Sequence, residues 1–297
     1  MDKKSLRIGI TGSRGVLGRS LIKYWSMIDS KIEFDTFNGD IQNIDEIDQW
    51  INNENRFHAI IHLAALVPTI EVDKNPLKAF RINSLGTLNL LETCRLKYSE
   101  NECPWIFYSS TSHIYSSDEH QHQNIKESSL INPISTYGLT KYQADQWAEL
   151  YRTKYRLPIC TGRIFSYSSP NQASNFFIPS LIEKIRNAPL NARLEIRGLD
   201  GTRDFLTVQQ IVETIEYLFS KKSIGVFNIG TGQATKLLDL AHAVQNRLDR
   251  TDLIIVSTGT DTNHLVANIE KLIEIGFRPI FNLDQLLDSF FSCDMNL

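Results

Sequence analysis

The feature that most constrains this chain stands near its start. A short apolar run, Leu6–Ile10, leads directly into Thr11-Gly12-Ser13-Arg14-Gly15-Val16-Leu17-Gly18, and helix-forming sequence follows. Glycines at this spacing let the backbone reverse tightly, leave room for a ligand against the main chain, and let a helix pack closely on a strand. The first turn of such a helix carries unpaired N–H groups and a partial positive charge, which suits a phosphate. A strand–turn–helix unit of this kind is a nucleotide-binding opening to an α/β fold.

The rest of the first half repeats the rhythm. Strands are expected at Leu6–Ile10, Glu33–Phe37, Ala59–Leu63, Trp105–Ser109 and Ile159–Ile164, and helices near Gly15–Ile28, Asp45–Asn52, Pro76–Leu96 and Ser135–Tyr155. This alternation predicts a doubly wound parallel sheet with helices on both faces. After Phe165 the pattern loosens. It predicts helices near Phe177–Arg186, Val208–Phe219, Leu237–Leu248 and Leu283–Phe291, with strands near Leu194–Ile196, Val226–Ile229 and Leu253–Val256. The expected organisation is a nucleotide-binding domain of residues 1–165, to which 204–230 return. A smaller C-terminal α/β domain of 166–203 and 231–297 would bind substrate, with a cleft between the two.

With 297 residues, 42% of them apolar, the chain can bury a large core. Its formal net charge of -3 and the lack of a dense Lys/Arg run argue against a nucleic-acid partner. No apolar run is long enough to span a bilayer, and Met1–Ile10 lacks the long apolar region of a secretory signal. Cys94, Cys103, Cys160 and Cys293 are scattered without a CxxC pair, which fits small apolar fillers in a reducing cytoplasm and no metal site.

The chemistry is expected at Tyr137-Gly138-Leu139-Thr140-Lys141, where a phenol and an ammonium four residues apart share one helix face. A free tyrosine titrates near pH 10, and an adjacent cation favours its phenolate. Ser135 is a plausible N-cap for this helix. Spacing alone is weak evidence, because Tyr217 and Lys221 repeat it at the end of an amphipathic helix. The first copy has a partner that the second lacks. Tyr108-Ser109-Ser110-Thr111-Ser112-His113-Ile114-Tyr115 ends a strand, where open parallel sheets place their ligands.

Together the Gly12-x-x-Gly15-x-x-Gly18 turn, His62-Leu63-Ala64-Ala65, the Ser/Thr-rich strand end and Tyr137/Lys141 resemble the extended short-chain dehydrogenase/reductase family of nucleotide-sugar epimerases, dehydratases and 4-keto reductases. The resemblance implies a Rossmann-like fold with an NAD(P)-binding domain. It implies Thr111, Tyr137 and Lys141 as catalytic residues, with Thr111 also touching substrate. Cofactor contacts would come from Gly12, Arg14, Gly15, Val16, Leu17, Gly18, Asp40, Ile41, Leu63, Ala64, Ala65, Asn83, Tyr137 and Lys141. Asp40 also reads as a solvated turn carboxylate. Arg14 inside the glycine turn favours NADP over NAD, while Asp35 in the second strand leaves the point open.

Later motifs extend the likeness along the chain: Arg163-Ile164-Phe165-Ser166 with Ser in the usual Asn position, Phe177-Ile178-Pro179, Thr202-Arg203-Asp204-Phe205, the Asn228–Gly232 turn, and Ile275–Pro279. They imply Ser166, Asn175 and Arg203 as ligands of a nucleotide-diphosphate sugar, Arg203 gripping phosphate as a fork. A salt bridge between Arg203 and Asp204 is the structural alternative. A further Arg usual in the family is missing, since no Lys or Arg lies between Arg250 and Lys271.

Dehydratases of the family carry Thr-Asp-Glu where this chain has Thr111-Ser112-His113, which disfavours dehydration. His113 is a candidate second acid/base, or a packed histidine. The reading is a 4-keto-(6-deoxy)sugar reductase, with a 4-epimerase as alternative and a non-catalytic NADP-binding sensor or scaffold as an alternative of another class. Family members dimerise through helices equivalent to Pro76–Leu96 and Ser135–Tyr155. Leu77, Phe80, Leu88, Leu91, Trp147 and Tyr151 supply apolar positions there, for a homodimer or for the core.

Overall fold

The apolar runs of the first half become strands of one sheet. In the computed structural model, which describes residues 5–51, 56–67, 69–116, 123–259 and 263–291, these are β1 (Leu6–Thr11), β2 (Ile32–Phe37), β3 (Ala59–His62), β4 (Trp105–Thr111) and β5 (Ile159–Ile164). Together with the strand Gly225–Ile229 they form a six-stranded Rossmann-like sheet, ordered Gly225–Ile229, β5, β4, β3, β1, β2. Pairing is parallel from β2 through β1, β3 and β4 to β5. Every residue of β3 and of β5 is buried, as expected for strands covered on both faces. The order reverses between β1 and β3, and the carboxyl ends flanking such a switch point are where open α/β sheets bind ligands. Cys293 lies outside the described residues.

Helices α1 (Val16–Ile28), α2 (Ile44–Ile51), α3 (Thr69–Lys74), α4 (Pro76–Phe80), α5 (Gly86–Lys97) and α6 (Thr136–Lys154) cover this sheet. α1 buries Leu17, Gly18, Leu21 and Trp25. The sequence predicts one helix over Pro76–Leu96. The structure instead has α4, a wide π turn over Arg81–Leu85, and α5. Two contacts hold the break. The Asn83 side chain bonds to the loop after β3, and Gly86 lies so near Ile41 that an added Cβ would sit 2.8 Å from its Cγ2. Insertions of this type concentrate near functional sites.

Two compact units make up the chain. One comprises Met1–Tyr115, Ile131–Ile164 and Gln209–Phe227, and the other Ser116–Leu130, Phe165–Val208 and Asn228–Leu297. Residues 116–130, assigned by sequence to the first domain, thus belong to the second unit. Ile125 N–H donates to the Val266 carbonyl at 2.7 Å, and the Ile125 carbonyl accepts from Asn268 N–H and Asn228 Nδ2. The second unit packs Ile178, Leu181, Ile185, Leu240, Val244, Leu286 and Leu287 around one core. Its strand Arg193–Arg197 pairs in parallel with Ile254–Thr258. Its other strands have two or three residues, too short for hydrophobic periodicity to reveal.

Asp204 ties this unit together. Fully buried, its carboxylate accepts the N–H and hydroxyl of Thr231, at 2.9 and 2.6 Å, and the N–H groups of Gly232 and Ala267. Gly230 leaves the space for it, since a Cβ there would sit 2.5 Å from an Asp204 oxygen. Asp204→Asn keeps the shape but turns an NH2 group toward N–H donors. It should lower unfolding free energy by roughly 2–4 kcal/mol, read as a reduced urea midpoint; an unchanged midpoint would contradict this role.

Candidate active site

The glycine turn sits at the switch point as its spacing requires. Gly12 has φ +73°, and a Cβ on it would lie 2.7 Å from the Ala64 nitrogen and the Leu63 carbonyl carbon. A Cβ on Gly18 would sit 2.5 Å from the Gly12 carbonyl oxygen, so α1 presses directly on the turn. Gly15 caps α1 without a side-chain bond, and no acidic residue occupies its first turn. The helix end is therefore open to an anion. Val16 is half-buried and Leu17 is packed inward. Arg14 is exposed, and its guanidinium has no partner among the described residues.

Asp35 in β2 and Asp40 in the turn after it differ in their surroundings. Asp35 takes the Arg7 guanidinium and, at 2.7 Å, the Trp50 indole N–H. Asp40 is exposed and accepts the N–H and Nε2 of Gln42, while Ile41 is buried against Gly86. β2 ends at Phe37 and is followed by Asn38 and Gly39, so no carboxylate stands at its tip.

A buried polar chain runs from this turn toward α6. Ala64 N–H donates to Thr11 Oγ1, 3.2 Å away, and Thr11 Oγ1 lies 2.7 Å from His62 Nδ1. His62 Nε2 is 2.9 Å from Thr87 Oγ1, which donates to the Asn83 carbonyl. These directions place the histidine proton on Nε2 and leave Nδ1 to accept from Thr11. Burial first, and Lys141 second, push the His62 pKa down to about 3, so the ring is neutral. The Asn83 carboxamide accepts Leu66 N–H and donates to the Leu66 carbonyl and Thr140 Oγ1. Its donors thus tie the loop after β3, at Leu66, to α6 at Thr140.

Ser135 caps α6, its Oγ accepting Gly138 N–H at 3.0 Å. Gly138 has no room for a side chain against the His113 carbonyl, so the first turn of α6 abuts the end of β4. Tyr137 is half-buried there, with the exposed His113 ring edge-on at 5.8 Å. Thr111 is the last residue of β4, and its Oγ1 accepts His113 N–H, which leaves its O–H to donate. Lys141 is 3% exposed, with Nζ 4.5 Å from the centre of the Tyr108 ring. Burial pushes its pKa down to about 7, and Asp145, one turn on, partly opposes this.

Asp145 anchors a second buried network. It accepts Ser110 Oγ at 2.7 Å and both Nε and Nη2 of Arg163, whose Nη1 donates to the Tyr115 hydroxyl. This network fixes α6 against β4 and β5. The spacing of Lys141 and Asp145 on one helix face could have revealed it; the partners from distant segments could not. The second Tyr/Lys pair has no such surroundings, and Lys221 is exposed.

In the second unit, Arg203 is half-buried and its Nη1 donates to the carbonyls of Thr202 and Asn263, both at 3.0 Å. Ser166 lies opposite Phe205 in a short parallel pair. Asn175 is exposed ahead of the helix Phe177–Asn187 and, with Phe177, Lys184 and Ile196, lines an open pocket. Among the described residues, no His/Cys/Asp/Glu group is placed to hold a metal, and no helix is long and apolar enough to cross a membrane.

A family model described as GDP-mannose 4,6 dehydratase matches residues 16–285. The chain belongs to this family. It is thereby an extended short-chain dehydrogenase/reductase of the nucleotide-sugar group. It is 29% identical over 227 residues to a dTDP-D-glucose 4,6-dehydratase of Dictyostelium discoideum, covering 73% of this chain and half of that protein's length. It is 26% identical over 245 residues to GDP-6-deoxy-D-mannose reductase of Pseudomonas aeruginosa, covering 79% and 77% of the two chains. Its fold is that of RMD from Pseudomonas aeruginosa complexed with NADPH, with a TM-score of 0.85, 22% identity and coverage of 97% and 98%.

The depressed Lys141 pKa has a consequence for stability. Between about 7 and the ordinary 10.5 the unfolded chain binds more protons at this residue than the folded one. This group therefore makes stability rise with pH across that window. Lys141→Met should remove that rise and leave the melting temperature at pH 7 unchanged or higher. Thermal melts of both proteins from pH 7 to 10 check this, and a wild-type curve falling in parallel with that of the variant would contradict it.

Proposed function

We propose that this protein is an NADPH-dependent reductase of a nucleotide-diphosphate 4-keto sugar. The observation that carries the reading is the buried Lys141 ammonium on the same helix face as Tyr137, in a helix packed against the strand β4 that ends at Thr111. The glycine cradle and the open N-terminus of α1 fit the pyrophosphate of a dinucleotide, and Lys141 fits its nicotinamide ribose. Bound NADPH would supply hydride to C4 of the sugar.

The chain's own residues manage the proton. The Thr111 hydroxyl donates to the C4 oxygen and orients it. The Tyr137 phenol gives that oxygen its proton, and the Lys141 cation stabilises the phenolate left behind. Ser112, buried after Thr111, and the exposed His113 replace the carboxyl pair that dehydration would use. In the second unit Arg203, with Ser166 and Asn175, is assigned to the nucleotide-diphosphate portion. A 4-epimerase, which keeps its cofactor, is favoured by one feature, the His113 ring beside Tyr137. A non-catalytic NADP sensor is disfavoured by the retention of Tyr137, Lys141 and Thr111 together.

NADPH is preferred in this reading because Asp35 is held by Arg7 and Trp50, while Arg14 stands exposed in the glycine turn. A homodimer in the cytoplasm completes it. Leu77, Phe80, Leu96, Leu139, Trp147 and Leu150 remain exposed on α4, α5 and α6 and support a second copy there, whereas Leu91 and Tyr151 belong to the core. The described thiols Cys94, Cys103 and Cys160 are free, in keeping with a reducing compartment.

A panel of GDP-, dTDP- and UDP-linked 4-keto-6-deoxy sugars, each offered with NADPH and with NADH, tests the reading. It predicts cofactor consumption with at least one 4-keto sugar and preference for NADPH; tightly bound NAD in the purified protein with no net consumption would replace it with the epimerase. Arg14→Ala should raise KM for NADPH about 10- to 100-fold while leaving that for NADH nearly unchanged. Equal effects on the two would remove Arg14 from 2′-phosphate recognition.

A further inference from the structure

The chemistry asks for a charged lysine beside Tyr137, yet Lys141 is almost wholly removed from water. Among the described residues, no hydrogen bond or ion pair ties its ammonium to a carboxylate. The nearest candidate, Asp145, already has its oxygens on Ser110 and Arg163. What lies under the ammonium is an aromatic face, the Tyr108 ring, with its centroid 4.5 Å from Nζ.

We infer that Tyr108 is a positioning residue for Lys141, its ring face holding the buried ammonium in place and in its charged form by cation–π attraction. Such contacts gain strength when water is excluded, and both side chains are buried here. The ring is itself pinned. Its hydroxyl donates to the Lys141 carbonyl at 3.2 Å, and the His62 ring packs on it at 5.9 Å with planes 28° apart. Burial pushes the Tyr108 pKa well up, so the phenol stays neutral and its face electron-rich. β4 thus serves the site twice, through Thr111 at its tip and through Tyr108 three residues earlier.

The groups around Lys141 are accounted for by element. On α6 itself stand Tyr137 and Asp145. β4 contributes Tyr108, β3 the neutral His62, and β5 Arg163, which is paired with Asp145. The inference deepens the proposed function, in which Lys141 tunes Tyr137, and rests on it for that consequence alone.

The test follows Lys141 directly in the protein without substrate or cofactor. Carbon-13 at lysine Cε is titrated by NMR, and the Lys141 signal is assigned by its loss in Lys141→Met. Tyr108→Phe keeps the ring and should titrate within a few tenths of a pH unit of wild type. Tyr108→Leu removes the ring and should lower the midpoint by about one pH unit. Should the leucine variant fail to fold, pentafluorophenylalanine at position 108 keeps the shape while reversing the charge of the ring face, and the same lowering is expected.

Equal midpoints with phenylalanine, leucine and the fluorinated ring would overturn the inference. The titration needs no substrate, so failure of the proposed reduction and failure of this assignment are separate results.

Discussion

A lysine ammonium enclosed between α6 and β4 is the constraint around which the first unit is arranged. Moving such a group out of water costs several kcal/mol, and nothing in packing alone would place it there. Its surroundings offset part of that cost, and burial still pushes the Lys141 pKa down to about 7. Asp145 contributes negative charge from one turn away while bonded to Ser110 and Arg163, and Tyr108 presents its ring to Nζ. A direct carboxylate partner would hold the charge more firmly, but it would also occupy the ammonium that the proposed roles toward Tyr137 and a ribose need. The arrangement keeps the cation near its titration range and available.

Holding the helix that bears Tyr137 and Lys141 depends on two polar networks that reach α6. One is the Asp145–Arg163 pair with Ser110 and Tyr115, which joins α6 to β4 and β5. The other runs through Thr11, His62, Thr87, Asn83 and Thr140, so that the glycine turn, the loop after β3 and the π turn share one set of bonds with the helix bearing Tyr137. In the second network the hydroxyls of Thr11, Thr87 and Thr140 each accept one bond and donate another, which favours one arrangement. The glycine turn and the helix bearing Tyr137 and Lys141 are in this way joined by one set of bonds.

Much of this was legible in the sequence, and the reasons differ by element. β1, β3, β4 and β5 appear as dense apolar runs because both of their faces are covered. α1 and α6 declare themselves through a glycine turn and a serine cap. Tyr137 and Lys141 fall on one helix and Thr111 at a strand end, as their spacing and the Ser135 cap led one to expect. The π turn at Arg81–Leu85 was not, since one widened turn leaves no mark in periodicity and its cause, Asn83 reaching Leu66, is a contact between distant segments. Asp35 was ambiguous for a related reason: its strand position is plain, but only the fold shows Arg7 and Trp50 claiming it. For Asp204 the sequence offered only an alternative, an ion pair with its neighbour Arg203, whereas its partners come from Thr231, Gly232 and Ala267.

Hydride delivered to one sugar carbon while Tyr137 supplies the proton is the centre of this account. Deuterium transfer tests it most directly. The protein is given NADPH deuterated at nicotinamide C4, each face in turn, with the 4-keto sugar it consumes, and the product is read by NMR. The account predicts deuterium at sugar C4 from one of the two labelled cofactors, one NADPH oxidised per sugar, and no transfer by Tyr137→Phe beyond a trace. Product without deuterium at C4 from either label, or transfer undiminished in Tyr137→Phe, would contradict it.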